Sequence, residues 1–219
     1  MARFSRRQFM AGTAGVLAAG AAFSQDAGSG APSGSRFDLG RFIDDLKRAR
    51  AESDSQAAVR DVVARAVSEP REVLHVLGEP REAGLHTLHR DKELTVLNVV
   101  WAPLMVLLPH NHQMWATIGI YTGREDNITW QRSGPAIEAS GAASLSEKEV
   151  FDLPAPAIHS VTNPIRRLTG AIHVYGGDFF APGRSEWDSE TLRERPLDIE
   201  GVRALFKEAN ERFQGKCNP

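Results

Sequence analysis

The chain of 219 residues has a single cysteine, Cys217 near its C-terminus. No disulfide can form within one chain, so the fold rests on burial and hydrogen bonding. An excess of one charge is also missing: 26 Lys and Arg stand against 28 Asp and Glu. With no basic stripe on any segment, nucleic acid is not expected as a partner. Neither a Gly-rich phosphate loop nor a Ser-His-Asp set is apparent, which removes the residues for nucleotide cradling and for serine hydrolysis. Long apolar runs are lacking too. Residues 11–23 are mostly Ala and Gly, too short and too weakly apolar for a membrane span, so no stable membrane anchor is expected.

What the N-terminus does hold is an address. Ser5-Arg6-Arg7-Gln8-Phe9-Met10 ahead of that mild apolar run is a twin-arginine pattern, and Ala22-Phe23-Ser24 places small residues for cleavage after Ser24. Such a signal is read by a receptor and is not an anchor. The expectation is a signal peptide over 1–24, passage through the twin-arginine translocase, and a periplasmic mature protein. Export in a folded state would fix a metal before competitors are met. Residues 25–36, rich in Gly, Ser, Ala and Pro, read as a flexible linker.

Residues 37–80 read as helical. Leu39, Phe42, Ile43, Leu46 and Ala49 recur at helical spacing, as do Val59, Val62, Val63, Ala66 and Val67, with Ser53, Asp54 and Ser55 available as caps. Pro70 closes the second helix, and Glu72 to Leu77 form a short third one in which His75 is structural. From 81 to 183 the texture changes to short strands divided by turns. The strand segments are Leu85–Arg90, Leu94–Trp101, Met105–His112, Trp115–Tyr121, Ile128–Gln131, Val150–Leu153, Ala157–Val161 and Ala171–Tyr175. Gly123 to Asn127 reads as a polar turn, Glu147-Lys148-Glu149 as another, and Arg184 to Glu194 as a solvated loop. Residues 184–219 end in an amphipathic helix bearing Val202, Leu205, Phe206, Ala209 and Phe213. Many short strands at this spacing imply a sandwich or barrel.

The chemistry sits at Pro109-His110-Asn111-His112. Residues two apart on a strand share a face, so His110 and His112 aim two imidazoles at one point. If the segment with His159 lies alongside, three neutral rings converge, a ligand set suited to iron, copper, nickel or zinc. Three ligands on one face leave open positions, as catalytic metal sites require.

The set His-x-His, Gly123, Pro154, His159 and Asn163 resembles the two motifs of the cupin family. Where the cupin pattern has a glutamate, Ala116 stands. Leu104 and Pro156 replace two of its glycines. Three histidines without the glutamate resemble the thiol dioxygenases, of which cysteine dioxygenase is the best known. Trp101, nine residues before the first ligand, fits that family, as do His159-Ser160-Val161-Thr162-Asn163-Pro164 and Ala171-Ile172-His173-Val174-Tyr175.

The resemblance implies a mainly β cupin double-stranded β-helix (jelly-roll) barrel with N-terminal helices and a C-terminal helix. It implies Fe(II) on His110, His112 and His159, and addition of O₂ to a small thiol to give a sulfinate. Three neutral ligands leave both charges on the iron, which favours a thiolate. His173 and Tyr175, two apart on one strand, are the implied pair beside the substrate. The family's serine in that array is Ala171 here, the position of its cross-linking cysteine is Thr117, and its carboxylate-binding arginine falls on Gly84. Arg90 borders a turn and is expected to face solvent. His86, His89, Gln113 and Trp115 are the remaining candidates for the substrate pocket. Two rivals keep the barrel: an isomerase or hydrolase using Zn(II) or Mn(II), and a non-catalytic cupin that binds a small ligand.

Overall fold

A computed structural model describes residues 37–181 and 183–217. The Arg6-Arg7 signal, the cleavage after Ser24 and the linker over 25–36 lie outside the described residues. Among the described residues, no helix is long and apolar enough to cross a membrane.

Helix α1 (Leu39–Arg50) begins where the Asp38 carboxylate accepts the Arg41 N–H at 2.7 Å. Asp54 does the same for α2 (Ser55–Val67), accepting from Ala57 at 3.3 Å. Both satisfy a donor that the first helical turn leaves free. Pro70 opens α3 (Pro70–Leu77) instead of closing α2, because a first-turn residue needs no N–H. Phe42, Leu46, Val59, Val63 and Val67 form the buried stripes.

Among the described residues eleven strands follow: β1 (Gly84–Arg90), β2 (Thr95–Trp101), β3 (Val106–Asn111), β4 (Ala116–Thr122), β5 (Arg124–Ser133), β6 (Ala136–Ser146), β7 (Val150–Leu153), β8 (Ile158–Thr162), β9 (Thr169–Tyr175), β10 (Ser185–Trp187) and β11 (Glu194–Pro196). Helix α4 (Ile199–Cys217) completes the order. The strands make two antiparallel sheets, β1-β2-β9-β4-β7 and β11-β10-β3-β8-β5-β6. From β3 onward the chain passes back and forth between them: β3, the β5–β6 hairpin, β8 and β10 in one, β4, β7 and β9 in the other. That alternation is the double-stranded β-helix expected from the sequence, with helices at both ends of the chain.

The outer face of the five-stranded sheet carries α1 to α3, packed on Val96, Tyr121, Ile172 and Val174. The α2 helix lies so close that a Cβ at Gly119 would sit 2.4 Å from Val63 Cγ1. A second apolar cluster fills the space between the sheets and continues into Phe206 and Ala209 of α4.

Two expectations about loops are corrected. Only Gly123, at φ +86°, turns the chain in the stretch Gly123 to Asn127. A Cβ there would meet Thr169 at 2.3 Å, so glycine is needed for space as well as for its dihedral. Arg124 to Asn127 already belong to β5, and Glu125 and Asn127 are fully buried. The stretch Arg184 to Glu194 is likewise no solvated loop throughout: Arg184, Glu186 and Trp187 are buried, and β10 pairs with β3. Strand β6, largely exposed and made of small residues, had no apolar alternation by which to be foreseen.

Candidate metal centre and cavity

The β3 strand is irregular where the ligands begin. Its register with β8 shifts between Leu107 and His110, leaving Leu108 and Pro109 without partners in β8. Proline has no N–H to give a ladder, so it fits such a break. The Leu108 carbonyl accepts the His110 Nδ1–H at 2.8 Å. His110 faces its cross-strand partner His159, and His112 follows one residue beyond the end of β3.

The three rings converge. The Nε2 atoms of His110 and His112 are 3.1 Å apart, and those of His112 and His159 are 3.4 Å apart. Nitrogens held about 2.1 Å from one metal ion lie about 3.0 Å apart at right angles and about 3.4 Å apart at tetrahedral angles. The spacing therefore suits an ion held by all three, and these are the residues among those described that group as metal ligands. All are buried. Burial drives each below the usual histidine range, His110 to about 4, with the neighbouring imidazoles pushing His112 and His159 down further. The rings are thus neutral, the form that binds metal.

A polar network stands behind the cluster. His159 Nδ1 donates to Asn127 Oδ1 at 2.7 Å, and Asn127 Nδ2 donates to Glu125 Oε1 at 2.9 Å. Glu125 Oε2 also accepts from Trp101 Nε1 at 2.7 Å and faces His173 Nε2 at 3.3 Å. On the far side of that ring, His173 Nδ1 and the Tyr175 hydroxyl are 3.1 Å apart. The Tyr175 ring packs edge-on against His112 at 4.9 Å. Burial alone would raise Glu125, but the His173 ring and the hydrogen bonds from Asn127 and Trp101 outweigh it and hold the carboxyl below its usual range. Among the described residues, no buried side-chain nitrogen or oxygen lacks a partner.

The cluster opens into a cavity of about 370 Å³. His173, Tyr175 and Arg184 share it with the metal-site rings; Val99, Phe179 and Phe206 are among its apolar walls. Arg184 is 7 % exposed and lies over the Phe179 ring at 4.2 Å. Burial lowers its guanidinium from the usual value, partly offset by Tyr175 and Asp178. Asp178 is itself committed to Arg90 through two hydrogen bonds of 2.8 and 2.9 Å, so Arg184 forms no ion pair among the described residues.

Of the sequence candidates, the structure brings His110, His112, His159, His173 and Tyr175 together. It does not bring the other four. His86 is exposed, and His89 turns to Asp91 at 2.8 Å; from their strand it is Leu85 that reaches the cavity. Gln113 is exposed at the turn after His112, with φ +59°. Trp115 packs beneath the outer helices and against Gly176, whose added Cβ would lie 2.2 Å from its indole. Ala116, where the cupin pattern places a glutamate, is buried opposite Tyr175. Sequence reasoning missed Glu125, Asn127 and Arg184. The first two carried one usable signal, polar residues two apart directly after a turn glycine; Arg184 carried none.

No family model matches the chain. By shape it is similar to an RmlC-like cupin family protein with a double-stranded β-helix fold from Methanocaldococcus jannaschii, at 10 % identity over 47 % of this chain and 86 % of that one, with a TM-score of 0.40. A conserved protein with a double-stranded β-helix domain from Klebsiella pneumoniae shows 12 % identity over 52 % and 87 % of the two chains, with a TM-score of 0.40. A cupin superfamily protein from Desulfitobacterium hafniense shows 16 % identity over 48 % and 88 %, with a TM-score of 0.37.

Proposed function

We propose that this protein is an Fe(II)-dependent thiol dioxygenase, exported to the periplasm by the twin-arginine route, that converts a small thiol and O₂ to a sulfinate. The observation that carries the reading is a ligand set of three neutral histidines without a carboxylate, placed beside Tyr175 and a buried arginine that forms no ion pair among the described residues. Fe(II) on those rings would supply a centre with undiminished positive charge that favours a thiolate and O₂ together.

The chain's own residues select and orient the substrate. Arg184 offers a desolvated guanidinium to an anionic group such as a carboxylate. The apolar walls exclude water and leave room for an alkyl or aryl arm. The Tyr175 hydroxyl, its ionisation pushed up by burial, stays a neutral hydrogen-bonding group next to His112. Mercaptocarboxylates thus fit better than simple aminothiols. The periplasmic part rests on Arg6-Arg7 and the Ala-rich run after it; changing both to Lys should leave folded precursor in the cytoplasm.

The test is O₂ uptake by iron-loaded protein across a panel of thiols, with sulfinate identified by mass. Thiol-dependent uptake is expected, strongest with mercaptocarboxylates, and Arg184→Leu should raise their KM at least about tenfold, as loss of a charge-assisted hydrogen bond does. No uptake across the panel with iron verified in the site would end this reading. The large apolar cavity would then favour the non-catalytic ligand-binding protein.

A further inference from the structure

Among the described residues, Glu125 is the carboxylate that joins the network behind the histidines. Its exposure is 0 %. A charge at that depth persists only when it is paired and hydrogen-bonded, and each contact on Glu125 comes from a different part of the site. Trp101 Nε1 and Asn127 Nδ2 donate to it, and His173 Nε2 faces it.

Two lines leave the carboxylate. Along the first, Asn127 must turn its NH₂ to Glu125, so its carbonyl oxygen faces His159. That oxygen accepts a hydrogen bond from the His159 Nδ1–H and leaves the Nε2 lone pair of His159 pointing at the other two rings. Along the second, His173 presents Nε2–H to Glu125, and Nδ1 is left to accept from the Tyr175 hydroxyl. An acceptor-only group at position 125 dictates both tautomers at once. The geometry has a counterpart in what is missing. Ala171 gives no hydroxyl to this array, and Ala116 gives no carboxylate to the metal.

We propose that Glu125 is the positioning residue of this site, fixing His159 as an Nδ1–H tautomer through Asn127 and His173 as an Nε2–H tautomer directly. The first line orients a metal ligand whatever reaction follows. The second orients Tyr175 and rests on the thiol dioxygenase reading for its purpose.

The experiment reads the tautomers and the metal separately from catalysis. Long-range ¹H–¹⁵N spectra of the full protein, metal-free and loaded with Zn(II), should show His159 protonated on Nδ1 and His173 on Nε2. A His173 protonated on Nδ1 alone, or on both nitrogens, in wild type overturns the proposal without any variant. In Glu125→Gln, the amide oxygen can serve only one line. Serving Trp101 and His173, it turns its NH₂ on Asn127, which must flip and release His159. Zn(II) affinity, measured by competition with a chelating dye, should then fall roughly 10- to 100-fold, the range for loss of a group that orients a ligand. Asn127→Ala should lose a similar factor while His173 keeps its tautomer. Because both changes break one line, the double variant should lose no more than either alone. Unchanged Zn(II) affinity and unchanged tautomers in a folded Glu125→Gln would overturn the proposal. Zn(II) supports no O₂ chemistry, so these outcomes stand apart from the thiol panel. Failure of that panel with the tautomers as expected would sink only the catalytic reading.

Discussion

Strand β9 shows the two faces of the five-stranded sheet side by side. Every residue from Thr169 to Tyr175 is buried. Ile172 and Val174 point outward into the cluster under α1 to α3, where Tyr121 donates to Asn98 at 2.8 Å. Ala171, His173 and Tyr175 point inward, where His173 and Tyr175 line the cavity with the metal-site rings. Equal burial thus hides unequal purpose. On the outer face a side chain is surrounded by apolar carbon and contributes through packing. On the inner face polar groups satisfy one another in series, so each one sets the orientation of the next. Substitutions outside should change stability and leave the metal alone; substitutions in the inner polar network should lower metal affinity.

The largest expected effect is on the inner face. Replacing His110, His112 or His159 by Ala removes a ligand outright, so metal affinity should drop by more than about 100-fold, beyond the range for loss of a group that only orients a ligand. Circular dichroism should show the strands intact. Full metal occupancy in two of the three variants would remove this site from consideration. On the outer face, Leu46→Ala deletes a side chain with 0 % exposure and should lower stability by about 2–5 kcal/mol in denaturant titration, with metal affinity unchanged.

Acidity should separate the faces next. The His110 imidazole in the folded, metal-free protein sits near 4 because of burial, below the value of an unfolded chain at about 6.5. Between those values the unfolded state binds the extra proton, so stability rises with pH. It should be fully present above about pH 6.5 and fall as the pH drops toward 4, by about 1–3 kcal/mol. His112 and His159 shift in the same direction and reinforce it. In a His110→Ala variant the pH slope of melting should shrink; an identical slope would mean that the cluster does not carry the acid sensitivity.

The outer layer was the easier half to read. Its helices announce themselves by apolar spacing, and Asp54 marks a start that the structure uses. The histidines were legible because a period of two survives the bulge ahead of them. The network behind them was not. Arg124 to Asn127 has the composition of a turn, yet strand alternation puts Arg124 and Asp126 outside, bound to each other at 2.8 Å, and Glu125 and Asn127 inside. What makes burial of Glu125 tolerable is Trp101, 24 residues before it, and His173, 48 residues after it. Local pattern carries no record of partners so distant. His86 and His89 show the converse. Which residues of their strand meet the cavity is decided by pairing with β2, and that register slips between Thr87 and His89, so that His86 pairs with Asn98 and His89 with Val96.

The smallest effect should come from the ion pair that, among the described residues, ties the outer helices to the sheet. Arg60 on α2 meets Asp152 on β7 at 2.9 Å and donates to the Val150 carbonyl at 3.2 Å. Asp152 also accepts from Thr117 on β4 at 2.8 Å, which makes a continuous polar route from the helical layer into the strand after the ligands. Route and influence are different things. Both partners of the ion pair are partly exposed, so water screens the attraction and replaces it when it is lost. Arg60→Ala should therefore cost less than about 1 kcal/mol in denaturant titration and leave Zn(II) affinity within twofold of wild type. A tenfold loss of Zn(II) affinity in this variant would show that the helices act on the cavity through Asp152 and Thr117, and the separation between the two faces would fail.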